Sequence, residues 1–371
     1  MSKIQLLFCG DFVLKSSPNL SLSPYIVDLF KQSKIKVCNF EAPIENNGEP
    51  IKKSGPSLSQ FKDSPTILEN IGFNVIQLAN NHIFDYKQKG YEKSISLFEN
   101  SLLIGAGQFE DAYSIKTINI ENKVIGFMSL SQFEFGVLGI DAKSEDYGVA
   151  WINHPIVNSK IIEAKKIVDY LFILPHAGIE EIDAPLPEWR NRYKEFIDLG
   201  ADAVIASHPH VPQGWELYKN KPIFYSLGNF YFDAITSNNP YWNKSLIVLI
   251  NILEDGRIDF KVENIKFEKN KVFEDNSEEI KLHNKKYCDL LINEDKYNEY
   301  INNTVLSLWK TYYIYFLRGL HTVNFKSGIT EFLKSIYCIF FRKPDLPILI
   351  NNLRCESHRW AILRALNLLS K

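Results

Sequence analysis

The chain is expected to fold as a layered α/β domain with much of its sheet parallel, followed by an α-helical C-terminal appendage. Three observations predict this. Six times an apolar run of strand length ends in polar, chemically capable residues. Helix-like stretches lie between most of these runs. After about residue 245 the pattern changes to a hairpin, a charged stretch and aromatic-rich helical sequence. Strands alternating with helices imply α/β layers and a largely parallel sheet.

Taken in order, the run Ile4 to Phe8 ends at Gly10 and Asp11, and Ile35 to Cys38 ends at Asn39, Phe40 and Glu41. Asn74 to Ala79 ends at Asn80, Asn81 and His82, and Tyr170 to Leu174 ends at Pro175, His176 and Gly178. Ala203 to Ala206 ends at Ser207, His208, Pro209 and His210. Pro222 to Tyr225 ends at Ser226, Gly228, Asn229 and Phe230. Residues 91–99, 161–167 and 188–199 read as helices. Residues 245–253 and 258–267 read as a hairpin around Glu254, Asp255 and Gly256. The expected division is a main domain over 1–267, a charged linker over 268–286 and a helical region over 287–371.

Composition narrows the class. The 371 residues are 45% hydrophobic and 23% charged, ordinary for a globular protein. A net charge of −2 gives no electrostatic reason to expect nucleic acid as a partner. The five cysteines have no paired spacing, which reads as reduced thiols rather than a disulfide framework. The opening MSKIQLLFCGD lacks a signal-peptide core, and no apolar run reaches the roughly 18 residues of a membrane span. A cytoplasmic chain without a transmembrane span is the expectation. The aromatic C-terminal helices either pack as core or make peripheral membrane contact, the latter kept open by Arg342 and Lys343 beside Phe340 and Phe341.

The stretch VIASHPHVPQG, residues 204–214, draws the chemistry together. Proline disfavours a helical conformation for the residue before it, so His208 is expected to be extended, with His208 and His210 projecting the same way. Ligands of open α/β sheets gather outside the carboxyl ends of the strands. Four of the eight histidines fall in the six strand-end clusters. Asp11, Glu41, Asn81, His176, His208 and His210 make a mixed carboxylate, amide and imidazole set suited to Mn²⁺, Fe²⁺ or Zn²⁺. One or two such ions could activate a water and clamp a phosphate. His82 is the candidate acid or electrostatic stabiliser, with Asp85 orienting it. Asn39, Asn80, Glu180 and Asn229 are candidates for touching substrate.

The motifs GD (10–11), NFE (39–41), LANNHIFDY (78–86), PHAGIE (175–180), GADAVIASHPHVPQGWE (200–216) and YSLGNFYFD (225–233) resemble the CapA family. These are capsule-synthesis or poly-γ-glutamate-synthesis proteins similar in fold to calcineurin-like metallophosphoesterases. The resemblance covers roughly residues 4–267 and implies a four-layer αββα sandwich of metallophosphatase type with its site at one edge of the paired sheets. It implies a metal-dependent, phosphoesterase-like hydrolase in capsule, poly-γ-glutamate or exopolysaccharide synthesis, attacking a phosphoester or amide centre. The alternative is a non-catalytic accessory protein that binds an anionic polymer or a synthase partner through the same groove. Dimetal phosphoesterases typically begin with Asp-x-His. Here Asp11 is followed by Phe12 and Val13, so one expected histidine ligand is missing.

Overall fold

The computed structural model describes residues 4–16, 19–45, 48–313 and 346–370. The chain divides into two compact units, Met1–Ile51 with Ser57–Ile292, and Lys52–Pro56 with Asn293–Lys371.

The larger unit is built on two main sheets. The first runs β2 (Ser21–Leu22), β18 (Lys271–Glu274), β17 (Ile258–Glu268), β16 (Lys244–Ile252), β1 (Ile4–Val13), β3 (Ile35–Phe40), β4 (Val75–Gln77) and β5 (Leu102–Ile104); β15 (Asn229–Phe232) also pairs with β1. Pairing is parallel from β1 through β5 and antiparallel from β1 through β16 and β17 to β18. The second sheet runs β13 (Trp215–Tyr218), β14 (Lys221–Phe224), β12 (Ala203–Ile205), β11 (Tyr170–His176), β8 (Lys123–Ser131) and β7 (Lys116–Ile120). Its four central strands are parallel. A small third sheet joins β6 (Ala106–Gln108), β10 (Tyr147–Ala150) and β9 (Val137–Leu138).

Side-chain alternation along the strands builds the layers. Leu6 and Phe8 of β1, Val37 of β3 and Val248 of β16 face inward and meet Phe127, Phe172, Ile205 and Phe224 of the second sheet. The rings of Phe8 and Phe172 lie 5.4 Å apart across this interface. Leu7 and Cys9 of β1 face the other way, into a core shared with helices α1 (Pro24–Gln32), α2 (Ser64–Ile71) and α3 (Lys87–Ile95). The short helix α4 (Phe109–Ala112) follows β6. On the far side, α5 (Ile156–Ala164) and α6 (Pro187–Asp198) connect successive strands of the second sheet, and α6 packs on β12 and β14. Asn158 of α5 donates to Glu195 of α6 at 2.8 Å. The result is the expected helix–sheet–sheet–helix sandwich.

Local chemistry sets the element ends. Ser23 caps α1, its hydroxyl accepting from the Ile26 amide, with Pro24 in the first turn. Gly72, at φ +111°, closes α2 in the left-handed conformation that glycine tolerates. The hairpin β16–β17 forms as expected, Ile252 opposite Ile258, with the Gly256 amide donating to Leu253 at 2.9 Å.

Residues 268–286, expected as a charged linker or loose helix, carry a strand and the first turns of a helix. Strand β18 pairs with β17 and with β2, burying Val272. Helix α7 (Glu278–Ile292) then buries Ile280, His283, Tyr287 and Leu291 within the larger unit. The charged residues hid this because apolar positions are sparse there and sit at helical spacing among solvated lysines and glutamates.

The smaller unit holds α8 (Glu294–Leu308), which continues as a π-helical turn over Trp309–Tyr313, with α9 (Leu346–Arg354) and α10 (Glu356–Leu369). Asn293 caps α8, accepting from the Lys296 amide at 3.0 Å. Arg364 of α10 donates to Asn302 of α8 at 2.9 Å, and the Tyr313 hydroxyl meets His358 Nδ1 at 2.9 Å. Phe340, Phe341, Arg342 and Lys343, on which the membrane-contact expectation rests, lie outside the described residues. No helix among the described residues is long and apolar enough to cross a membrane. Cys9, Cys38, Cys288 and Cys355 are free thiols.

Candidate metal centre

The expected strand-end clusters fall at or near the carboxyl ends of strands, and the two sheets contribute equally to the candidate ligand set. Asp11 lies in β1, Glu41 directly follows β3, and Asn81 lies in the turn after β4. His176 is the last residue of β11, and His208 and His210 follow β12. All six are buried. Gly10 makes this possible locally. The backbone entering β15 passes so close that a Cβ at Gly10 would sit 1.7 Å from the Gly228 carbonyl oxygen. The Asp11 amide donates to that same oxygen at 3.0 Å, which fixes the carboxylate at the sheet edge.

The donor atoms face one another. His210 Nε2 is 3.4 Å from Glu41 Oε1, and His210 Nδ1 is 3.2 Å from Asp11 Oδ2. His176 Nε2 is 3.6 Å from Glu41 Oε1, 3.1 Å from Asn81 Oδ1 and 3.0 Å from His208 Nδ1. Two sets, Asp11 with Glu41 and His210, and Glu41 with His176 and His208, each bring three ligand atoms within 4.8 Å of one another. Glu41 belongs to both.

The remaining candidates fall around this cluster. Asn39 donates to Asp11 Oδ1 at 2.8 Å and sits 3.2 Å from His176 Nδ1. Asn80 donates to Asn39 Oδ1 and to the Phe40 carbonyl, both at 2.9 Å, while its own oxygen accepts from the Ile83 amide at 2.8 Å. Both amides are buried and held by the fold. Asn229 Oδ1 meets His210 Nδ1 at 2.9 Å, and its amide donates to the Trp242 carbonyl at 3.0 Å. Glu180 is exposed, its carboxylate grouped with His208 and His210. His82 Nδ1 is 2.7 Å from Asp85 Oδ2, which also accepts from the Leu58 amide at 2.7 Å. Asp85 is thus fully buried and fixed from two sides.

Burial and mutual charge split the protonation states. Burial alone would raise Asp11, but the hydrogen bond from His210 and the imidazoles of His176 and His210 outweigh it and hold the carboxyl below its usual range. Burial pushes Glu41 well up; the charge of Asp11 adds to this and His210 opposes it. Burial drives His176 well down, with His208 adding, and lowers His208 to about 4. Burial would lower His210 too, yet Glu41 and Asp11 raise it to about 10. Such divergence among touching groups is a mark of functional sites.

One local expectation is corrected. His208 is not extended: its φ is +103°, and His210 has φ +59°. The chain bends rather than running straight through Pro209. The bend lets the His208 amide donate to Asp11 Oδ2 at 3.2 Å, and tertiary contact overrides the local preference. Both rings still reach the cluster, 5.9 Å apart.

The sequence reading missed Gln132 and Glu134. Their signal was the same as the others: Val124 to Leu130 is an apolar run ending in Ser131, Gln132, Phe133 and Glu134. Gln132 Nε2 lies 2.9 Å from His208 Nε2, and Asn81 Nδ2 donates to Glu134 Oε2 at 3.1 Å. The Ser207 hydroxyl also touches the cluster, 3.2 Å from His176 Nδ1.

A two-sheet sandwich flanked by helices, with carboxylates, amides and imidazoles converging at the carboxyl ends of its strands, defines the fold class of the larger unit. Within that class, the chain belongs to the family described as bacterial capsule synthesis protein PGA_cap, whose model matches residues 5–234. That span includes every candidate ligand. The chain is 32% identical to the capsule biosynthesis protein CapA of Bacillus anthracis over 223 residues, 57% of this chain and 53% of that protein. It is 32% identical to the PGA biosynthesis protein CapA of Bacillus subtilis over 222 residues, 57% of each. It thus spans about half the length of the curated relatives it matches. Among solved structures it is similar to the NAD nucleotidase of Haemophilus influenzae, at 13% identity and a TM-score of 0.39, covering 84% of this chain and 72% of that one.

Proposed function

We propose that the chain is a metal-dependent hydrolase acting on a phosphoester or amide link in capsule, poly-γ-glutamate or exopolysaccharide synthesis. One observation carries the reading. Glu41 Oε1 is buried with no hydrogen-bond partner, beside imidazole nitrogens that reach it from the opposite sheet. A buried carboxylate oxygen left without a partner is costly unless a cation completes it. The carboxylate, amide and imidazole donors fit Mn²⁺, Fe²⁺ or Zn²⁺. Asp11, Glu41, Asn81, His176, His208 and His210 would hold one or two such ions. Bound there, the ion supplies Lewis-acid polarisation of the substrate and lowers the pKa of water.

The chain's own residues do the rest. Asp85 anchors His82 through Nδ1, which leaves Nε2 as the nitrogen that can give a proton to a leaving group. Asn39 steers Asp11, and Asn229 steers His210. Glu180, at the exposed rim beside His208 and His210, would meet substrate.

A second reading is favoured by Val13. It occupies the position where dimetal phosphoesterases carry their second ligand, and it is a fully buried apolar residue packed in the helix-side core. An accessory protein that binds polymer or a synthase partner without turnover would tolerate that change. Elemental analysis of the purified protein, beside His208→Ala/His210→Ala, separates the readings when combined with phosphoester and γ-glutamyl substrate screens. Stoichiometric metal lost in the variant, with turnover, supports the hydrolase. Metal without turnover on either substrate class supports the accessory role, and no metal after loading overturns the metal site.

A further inference from the structure

Beyond the six candidate ligands, the loop after β8 builds a wall against three of the ligand-bearing segments at once. The Gln132 amide donates to the His176 carbonyl at 3.1 Å, and Gln132 Oε1 accepts from the Gly178 amide at 3.1 Å. Its side-chain nitrogen is 2.5 Å from Glu134 Oε1 and 2.9 Å from His208 Nε2. Glu134 Oε2 accepts from Asn81 Nδ2 at 3.1 Å, and Glu134 Oε1 stands 3.8 Å from His208 Nε2. The Glu134 side chain is only 8% exposed.

Resting on the cation reading above, we infer that Glu134 is a positioning residue that fixes which atom Asn81 presents to the cation, with Gln132 holding Glu134 in place. An amide offers either oxygen or nitrogen. With Nδ2 donating to Glu134, the Asn81 oxygen is the atom turned to the cluster, where it lies 3.1 Å from His176 Nε2. His208 turns Nδ1 to the cluster, 3.0 Å from His176 Nε2, while the Gln132 side-chain N–H faces its Nε2 at 2.9 Å.

The test uses the full chain and Mn²⁺ alone. Glu134→Gln keeps the shape but turns an N–H toward other N–H donors. Calorimetric titration should show Mn²⁺ binding weakened by about 10- to 100-fold, while the thermal midpoint in chelator matches the unsubstituted protein. Glu134→Asp, which keeps the charge, should recover affinity lost in Glu134→Ala. If Glu134→Gln and Glu134→Ala bind Mn²⁺ like the unsubstituted protein while His208→Ala does not, the positioning role is wrong and the cation site stands. Failure of the unsubstituted protein to bind Mn²⁺, Fe²⁺ or Zn²⁺ would overturn both.

Discussion

At Gly10, a methyl group would collide with the backbone of Gly228, not with a yielding side chain. Gly10→Ala must therefore push β15 from β1 and move Asp11 and Asn229 apart. The expected result is loss of cation binding together with a lowered thermal midpoint, read by elemental analysis and calorimetry. His82→Ala should behave oppositely, keeping cation content while lowering turnover by about 100- to 10,000-fold. Away from the site, Arg190 pairs with Glu216 at 2.8 Å and donates to the Leu291 carbonyl at 2.6 Å. Removing one member of so buried a pair by Arg190→Ala should cost about 3–5 kcal/mol in denaturant unfolding. Burial would raise Glu216, but Arg190 and Tyr225 outweigh it and hold the carboxyl below its ordinary value of 4.5. A depressed folded value means the pair stabilises the fold above that pH, and the contribution fades as pH falls through the lower value. Stability measured from pH 6 downward should lose this component in the parent but not in Glu216→Gln.

Among the elements, the inner faces of the sheets carry the largest packing effects. Phe172 stacks within 5.8 Å of Phe127 and meets Phe8 across the interface. Phe172→Ala should cost about 3–5 kcal/mol by denaturant unfolding. The element scale also shows what the sequence could reveal. Strands β1, β3 and β11 were legible because each is an apolar run stopped by a polar cluster, and a parallel buried strand leaves that trace. The β8 end left the same trace but was weakened by Gly126 and Ser129 within the run. The bend at His208 was not legible, because what imposes it comes from Asp11, far away in the chain. Gly178 is part of that tertiary constraint: a Cβ there would meet Pro209 at 2.8 Å.

For the molecule as a whole, the boundary of the larger unit at Ile292 is a testable matter. A chain ending at residue 267 lacks β18 and α7, which bury Val272, Ile280 and Tyr287. Helix α7 also passes so near Gly214 that a Cβ there would come within 2.7 Å of the Tyr287 backbone. A chain ending at Ile292 should unfold cooperatively and bind a cation, whereas one ending at Phe267 should aggregate or melt at a lower temperature. Circular dichroism melts and metal content of the two chains decide it. The charged composition of 268–286 concealed this boundary, since burial there depends on a few apolar residues meeting a surface made by distant strands.

Three of the proposed ligands hang from one sheet and three from the other. A bound ion would therefore act as a rivet through the sandwich, adding to the apolar contact and hydrogen bonds that already join its two halves. Sliding one sheet over its partner would shear that rivet, so rigidity and occupancy become a single property of the protein. Heat resistance should then climb with free cation concentration, by about 2.7 kcal/mol at a hundredfold excess over the dissociation constant. Chelation should loosen the seam between the sheets first, and hydrogen exchange at the inner strands β1 and β11 would record it.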